Sequence, residues 1–253
     1  MKAALAVSWL NFKQGIRERL FYGVIFFFLS FLAFSVLLGK LSVGENAKVL
    51  RNAGLTGIEF SALLLVIFSL IFSFYKERDG RILEIYLSHF SRSAYISGKF
   101  IGYLLILLFY LGLAGLGYAL ILFWQQAFAW QITAGIYFLF LKLSIVTSFA
   151  LAFACLFSSP IIALLCSFFL YFASEAAHSA LKIILQGNNP LQALFFKCLY
   201  HCFPNMDKLD IKALVAHGQL PGLSFFLLAS LYGCAYLLCL WLITQYIFRQ
   251  KEF

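Results

Sequence analysis

Apolar residues run along this chain in six long blocks, each cut off by a short polar or charged stretch. Block 20–38 carries no charge, block 55–75 carries only Glu59, and block 100–124 carries none. Block 132–157 carries only Lys142, block 160–181 holds Glu175 and His178 near its end, and block 223–248 carries none. A helix rises about 1.5 Å per residue and bilayer hydrocarbon is about 30 Å thick, so about 20 such residues span it. Lipid offers an open backbone no hydrogen-bond partner, so each block is predicted to be helical. The fold class that follows is all-α integral membrane, with six transmembrane helices over about 20–38, 55–75, 100–124, 132–157, 160–181 and 223–248.

The pattern before the first block differs. Leu5, Trp9, Phe12 and Ile16 fall on one helical face, and Asn11, Gln14 and Glu18 fall on the other. That periodicity predicts a helix over 1–19 lying in the membrane surface. A cleaved signal peptide is not expected, because the apolar part of 1–10 is short and Lys13, Arg17 and Arg19 follow without a small-residue cleavage signal.

Composition and charge agree with a polytopic membrane protein. The chain is 63% hydrophobic and 11% charged, whereas soluble domains run nearer half apolar and a quarter charged. Its net charge of +9 does not suggest nucleic acid, because the basic residues sit in patches beside apolar runs, where they set orientation. With six spans both termini share one side. That side holds Lys2, Lys13, Arg17, Arg19, Lys76, Arg78, Arg81, Arg92, Lys99, Arg249 and Lys251. The other side holds Lys40, Lys48, Arg51, Lys182, Lys197, Lys208 and Lys212. Eleven against seven predicts cytoplasmic termini. Trp124 and Trp130 then bracket a short outer turn at the headgroup layer.

Three connections stand out. Residues 76–99 form a charged cytoplasmic loop, Ser158-Ser159-Pro160 joins spans four and five with almost no linker, and 182–222 is a long external segment. Within that segment 191–203 reads as a short helix, and 205–218 as a turn followed by an amphipathic piece. In the cytoplasmic loop Gly80 is expected to break or bend the helix. Ile82, Leu83, Tyr86 and Leu87 then make the apolar face of a short crosswise helix, Ser91-Arg92 restarts the chain, and Gly98-Lys99 leads into span three.

Catalytic sets are missing. The three aspartates, Asp79, Asp207 and Asp210, lie outside the spans, which excludes an intramembrane aspartyl dyad. There is no His-Glu-x-x-His for zinc and no Gly-x4-Gly-Lys-Ser/Thr for nucleotide; Gly39-Lys40 and Gly98-Lys99 are followed by Leu41 and Phe100. A non-catalytic chain is expected, with any ATP hydrolysed on another subunit.

Residues Glu77, Arg78, Gly80, Ile82, Leu87, Ser88, Ser91, Arg92, Tyr95, Gly98 and Lys99 together resemble the cytoplasmic loop of ABC-2-type permeases, the membrane subunits of many bacterial ABC exporters. Phe203-Pro-Asn-Met-Asp-Lys-Leu-Asp-Ile-Lys212 resembles the segment before the last span in the subgroup associated with multicopper-enzyme maturation. Length, span number and the surface helix extend the likeness over 1–253, as one ABC-2-type transmembrane domain. One departure is local: His89-Phe90 stands where many relatives place Pro, in a loop one residue shorter. The resemblance implies a permease in the bacterial cytoplasmic (inner) membrane, paired with a second permease subunit and with cytoplasmic ABC ATPases, surrounded by lipid and without nucleic acid. It places ATP and Mg on the partner ATPase and no cofactor in this chain. It implies a coupling face of Glu77, Arg78, Arg81, Glu84 and Arg92. The alternative is a stand-alone channel or ion-coupled carrier, for which the span residues offer only Glu59, Glu175 and Lys142.

Those span residues are candidates in any reading. A mid-bilayer lysine costs about 2.5–3.5 kcal/mol on insertion scales, so Lys142 needs a carboxylate, a cavity or a dimer interface, or else it snorkels. Glu59 and Glu175 are its candidate partners. Glu175 and His178, at i and i+3, share a face, either lining an exit vestibule or marking the outer headgroups. Cys198, His201 and Cys202, at i, i+3 and i+4, are weak metal candidates without a fourth ligand, so no metal is expected. Gly98, Gly102, Gly112, Gly115 and Gly117 give span three a smooth side for close helix approach, within the chain or across a dimer.

Overall fold

The computed structural model describes residues 2–41, 46–185 and 204–251, and every regular element among them is helical. The helices are α1 (Lys2–Arg17), α2 (Arg19–Leu41), α3 (Asn46–Asp79), α4 (Ile82–His89), α5 (Arg92–Trp124), α6 (Ile132–Leu156) and α7 (Pro160–Leu185). A 3-10 turn (Met206–Leu209) and the short α8 (Lys212–Ala216) precede α9 (Leu223–Gln250). Within them Arg19–Leu37, Ala47–Asp79, Arg92–Trp124, Ile132–Leu156 and Leu223–Gln250 are long and apolar enough to cross a membrane. The described apolar part of α7, Pro160–Ala176, is shorter. The chain is thus a helical, multi-pass membrane protein, with five such helices among the described residues.

The second predicted span grows at both ends. No proline interrupts 46–79, and Gly54 and Gly57 stay helical, so α3 runs for 34 residues, about 51 Å of helix. Its ends therefore stand clear of the hydrocarbon, and its charged last turn begins the 76–99 connection. The break there falls one residue after Gly80: Arg81 takes the left-handed conformation, with φ of 55°, an uncommon state for a side chain other than glycine. Ser91 restarts the chain as the cap of α5, its hydroxyl accepting from the Ala94 N–H at 3.3 Å. Pro160 opens α7 at the first helical position, where its missing N–H costs nothing.

Helices α3 and α6 form the centre and α2 and α9 the rim. About three-quarters of the apolar stretches of α3 and α6 is buried, against about a fifth for α2 and α9. Helix α6 packs on α9, α3, α5 and α7, and α8 lies against α3 and α6. The predicted turn and amphipathic piece over 205–218 are the 3-10 turn and α8. The predicted helix over 191–203 lies outside the described residues.

A helix, α1, forms over the N-terminal stretch, but it packs along α5 and buries Asn11, which the periodicity puts on the polar face. Its contact face is small and polar, with Val7, Ser8 and Asn11 buried, while Leu5 and Trp9 face outward. Gly98 and Gly102 make this approach possible. A Cβ on Gly98 would stand 2.6 Å from Val7 Cβ and 2.7 Å from the Ala4 carbonyl oxygen, and one on Gly102 3.0 Å from the Ser8 carbonyl oxygen. This part of the smooth side of α5 is used within the chain, whereas Gly112 and Gly117 face open space. Gly98→Leu is therefore expected to lower stability by about 1–3 kcal/mol through overpacking, read as a reduced thermal midpoint in detergent. Gly112→Leu should leave the midpoint unchanged.

Candidate functional site

Two charge clusters lie inside the bundle, one toward the middle of α3 and one at its end. At the first, Lys142 of α6 is fully buried and reaches two other helices, α3 and α7, and the connection before α8. Its Nζ stands 2.7 Å from Glu59 Oε1 and 2.6 Å from Glu175 Oε2, and 3.7 Å from Asp210 Oδ2. Glu59, 2% exposed, also accepts from Tyr171 Oη at 2.8 Å and from Lys212 Nζ. Lys212 Nζ lies 3.1 Å from Asp210 Oδ2, and the Lys212 N–H donates to Asp210 Oδ1 at 3.0 Å. The Lys142 ammonium also stands 5.5 Å from the Tyr171 ring centroid. Every buried charge thus has an opposite charge in contact, which a low-dielectric interior demands.

This geometry decides the alternatives for Lys142: it pairs with Glu59 and Glu175, both anticipated, and does not snorkel. Asp210 and Lys212 were missed, because they lie in the connection before the last span and neither carries an intramembrane signal. The pairs tie that connection down, with support from Gln131 Nε2 donating to the Gly218 carbonyl at 2.8 Å. The side chain of His178, and Cys198, His201 and Cys202, lie outside the described residues.

The second cluster corrects the picture of a fully exposed coupling face. Glu77 is only 7% exposed and turns into the bundle, because Lys99 of α5 is buried beneath it, with Nζ 2.7 Å from Glu77 Oε2. Tyr95 Oη donates to the same carboxylate, and Ser73 Oγ donates at 3.2 Å. Tyr95 in turn stacks on Phe248 of α9 at 5.7 Å and stands 5.8 Å from the Tyr86 ring of α4.

Neighbouring residues hold the other helix ends. Tyr75 Oη donates to the carbonyls of Phe157 and Ser159, at 2.9 and 3.1 Å, and Arg78 Nη2 donates to that of Ser158 at 2.7 Å, so the end of α3 grips the whole α6–α7 link. Arg78 also lies over the Tyr75 ring at 4.3 Å. Arg92 Nη1 donates to the carbonyls of Arg249 and Lys251 at 3.1 Å, the end of α9. Lys251 Nζ donates to the carbonyls of Cys155 and Leu156 at 2.8 Å, the end of α6. Of the five anticipated coupling residues, Arg81, Glu84 and Arg92 are exposed, Arg92 while bonded to the end of α9; Arg78 is half-buried against the α6–α7 link, and Glu77 alone is buried.

No family model matches the chain, and no curated protein matches it.

The buried pairs carry direct expectations. Lys142→Met leaves Glu59 and Glu175 without their shared counter-charge and should cost about 3–5 kcal/mol. Adding Glu59→Gln to it should cost less than the two single losses together, a coupling that a double-mutant cycle reads. The connection before α9 should respond to pH at both extremes. Burial alone raises the Asp210 carboxyl, but Lys142 and Lys212 outweigh it and hold that carboxyl below its ordinary range. Burial alone lowers the Lys212 ammonium, but Glu59 and Asp210 outweigh it and raise it. A depressed acid stabilises above its unfolded value, about 3.9, and fails as pH falls through its folded one. A raised base stabilises below its unfolded value, about 10.4, and fails as pH climbs through its folded one. Amide exchange over 204–218 should therefore be slow across the middle of the pH range, once corrected for intrinsic rates. It should quicken below about pH 4 and again above about pH 10.

Proposed function

We propose that this chain is the membrane-spanning permease subunit of an ABC-type exporter, of the ABC-2 kind, driven by a separate ATPase that docks on 76–99. The observation that carries this reading is the wiring around α4. A short helix stands at the ends of α3 and α5, with Arg81 and Glu84 outward. The residues beside it are bonded to the α6–α7 link, to α5 and to the end of α9. A force on α4 passes along the chain to the adjoining ends of α3 and α5, and from them through charge-assisted bonds to the α6–α7 link and the end of α9. That is the mechanical requirement for a subunit that borrows its energy from a motor.

In this reading six helices span the bacterial cytoplasmic membrane, α7 supplying the one between α6 and α9, with both termini cytoplasmic. A second permease subunit and two ATPases complete the transporter, and ATP and Mg bind on the ATPases. Arg81 and Glu84 form the contact face, and Glu77, Arg78 and Arg92 pass the movement inward. Helix α1, with Leu5 and Trp9 outward, lies in the membrane surface. The outer cluster around Lys142 is a fastening rather than an ion path. An ion-coupled carrier needs carboxylates that can be vacated, whereas Glu59 is engaged by two lysines and a tyrosine.

The test is a charge-reversal scan of exposed positions. Arg81→Glu and Glu84→Lys should abolish co-purification with the cytoplasmic ABC ATPase and lower transport at least tenfold, while membrane insertion and thermal midpoint hold. Indifference of both positions, or protease access to 80–91 only from the periplasm, overturns the reading.

A further inference from the structure

A cleft of about 610 Å³ opens where α1 ends, α2 begins and α3 runs out beside α4. Its walls carry two kinds of surface. Leu20, Phe72 and Ile82 are apolar and each at least 40% exposed. Arg17, Arg19 and Lys76 are exposed cations around the same opening, without an ion-pair partner among the described residues. Two carboxylates also line it, and both are engaged: Glu77 by Lys99, and Glu18 by the Ser69 hydroxyl at 3.0 Å. Lys99, buried behind the wall, neutralises Glu77, so three cations at the cleft face one remaining carboxylate, Glu18. The apolar wall continues along the outward face of α2, where Tyr22, Phe26 and Leu29 are exposed. Arg19 opens the apolar stretch of α2 and Lys76 closes that of α3, so the cleft sits at the boundary between hydrocarbon and headgroups.

We infer that this cleft binds one anionic phospholipid of the surrounding bilayer. Arg17, Arg19 and Lys76 hold its phosphate, and the acyl chains run over Leu20 and Phe72 and down the exposed face of α2. Charge and apolar wall together select the occupant. Free phosphate would leave the greasy wall wet, and a zwitterionic lipid would bring its own cation among three others. Bound there, the lipid joins the end of α1 to the end of α3 next to Glu77, so membrane composition bears on the wiring around α4. Binding requires only that the chain span a bilayer, and it stands whether or not an ATPase docks on α4.

The experiment uses the full chain in phosphatidylcholine nanodiscs doped with phosphatidylglycerol. Lipid co-isolated after detergent exchange is counted by native mass spectrometry, and thermal midpoints are taken with phosphatidylglycerol, phosphatidylcholine or inorganic phosphate added. The expected result is one retained phosphatidylglycerol and a midpoint raised by that lipid alone. Arg17→Gln, Arg19→Gln and Lys76→Gln should each weaken retention about fivefold, the effect of one cation at a membrane surface. Arg17→Lys and Arg19→Lys should keep it, which separates lost binding from a misfolded chain. Equal retention of both lipids, or an unaltered count in the triple glutamine variant, overturns lipid selection. Equal stabilisation by inorganic phosphate shows a simple anion site and overturns the lipid.

Discussion

A charge inside an apolar bundle must meet an opposite charge, and this one requirement settles which helices touch. Helix α3 carries both of the deeply buried carboxylates among the described residues, Glu59 and Glu77. They lie 18 residues apart, about 27 Å along the axis. Each meets a fully buried lysine from a different helix: Lys142 on α6 for one, Lys99 on α5 for the other. Van der Waals packing between apolar helices in lipid has little directional preference, so these pairs fix register where packing leaves it loose. They also explain why α3 and α6 are central while α2 and α9, without a charge in their predicted spans, remain at the rim.

The two nodes differ in what they fasten. The one at Lys142 closes on residues from a connection, so it joins the bundle to a segment that has no packing face long enough to hold itself. The one at Lys99 centres on the Glu77 carboxylate, and the residues beside it bond carbonyls at helix ends. The last carbonyls of a helix lack an internal partner, and here Arg78, Arg92, Lys251 and Tyr75 supply it. The ends of α3, α5, α6 and α9 thus form one hydrogen-bonded surface.

Much of this was legible from the order of residues. Apolar block length marks the helices, and the depth of Lys142 makes Glu59 and Glu175 its candidate partners, with snorkelling the open alternative that the ion pairs decide against. The short helix after Gly80 and the restart at Ser91 follow from breaker and cap chemistry. What escaped depends on three-dimensional placement. Asp210 and Lys212 look like ordinary loop charges until the loop folds back on α3. Glu77 and Arg78, adjacent in a charged run, look alike, yet successive positions on a helix point about 100° apart, and only one of them faces Lys99. The partner of the Gly98 and Gly102 face was open between this chain and another copy, since small residues permit close approach without naming who approaches.

The chain order of the outer cluster has a consequence for how the protein is made. Glu59 precedes Lys142 by 83 residues and Lys212 by 153, from their positions in the chain. A nascent polypeptide must therefore carry Glu59 into the bilayer long before either counter-ion leaves the ribosome. Its interim guardian has to be the translocation machinery or water, and the final clasp closes only once most of the protein has been synthesised.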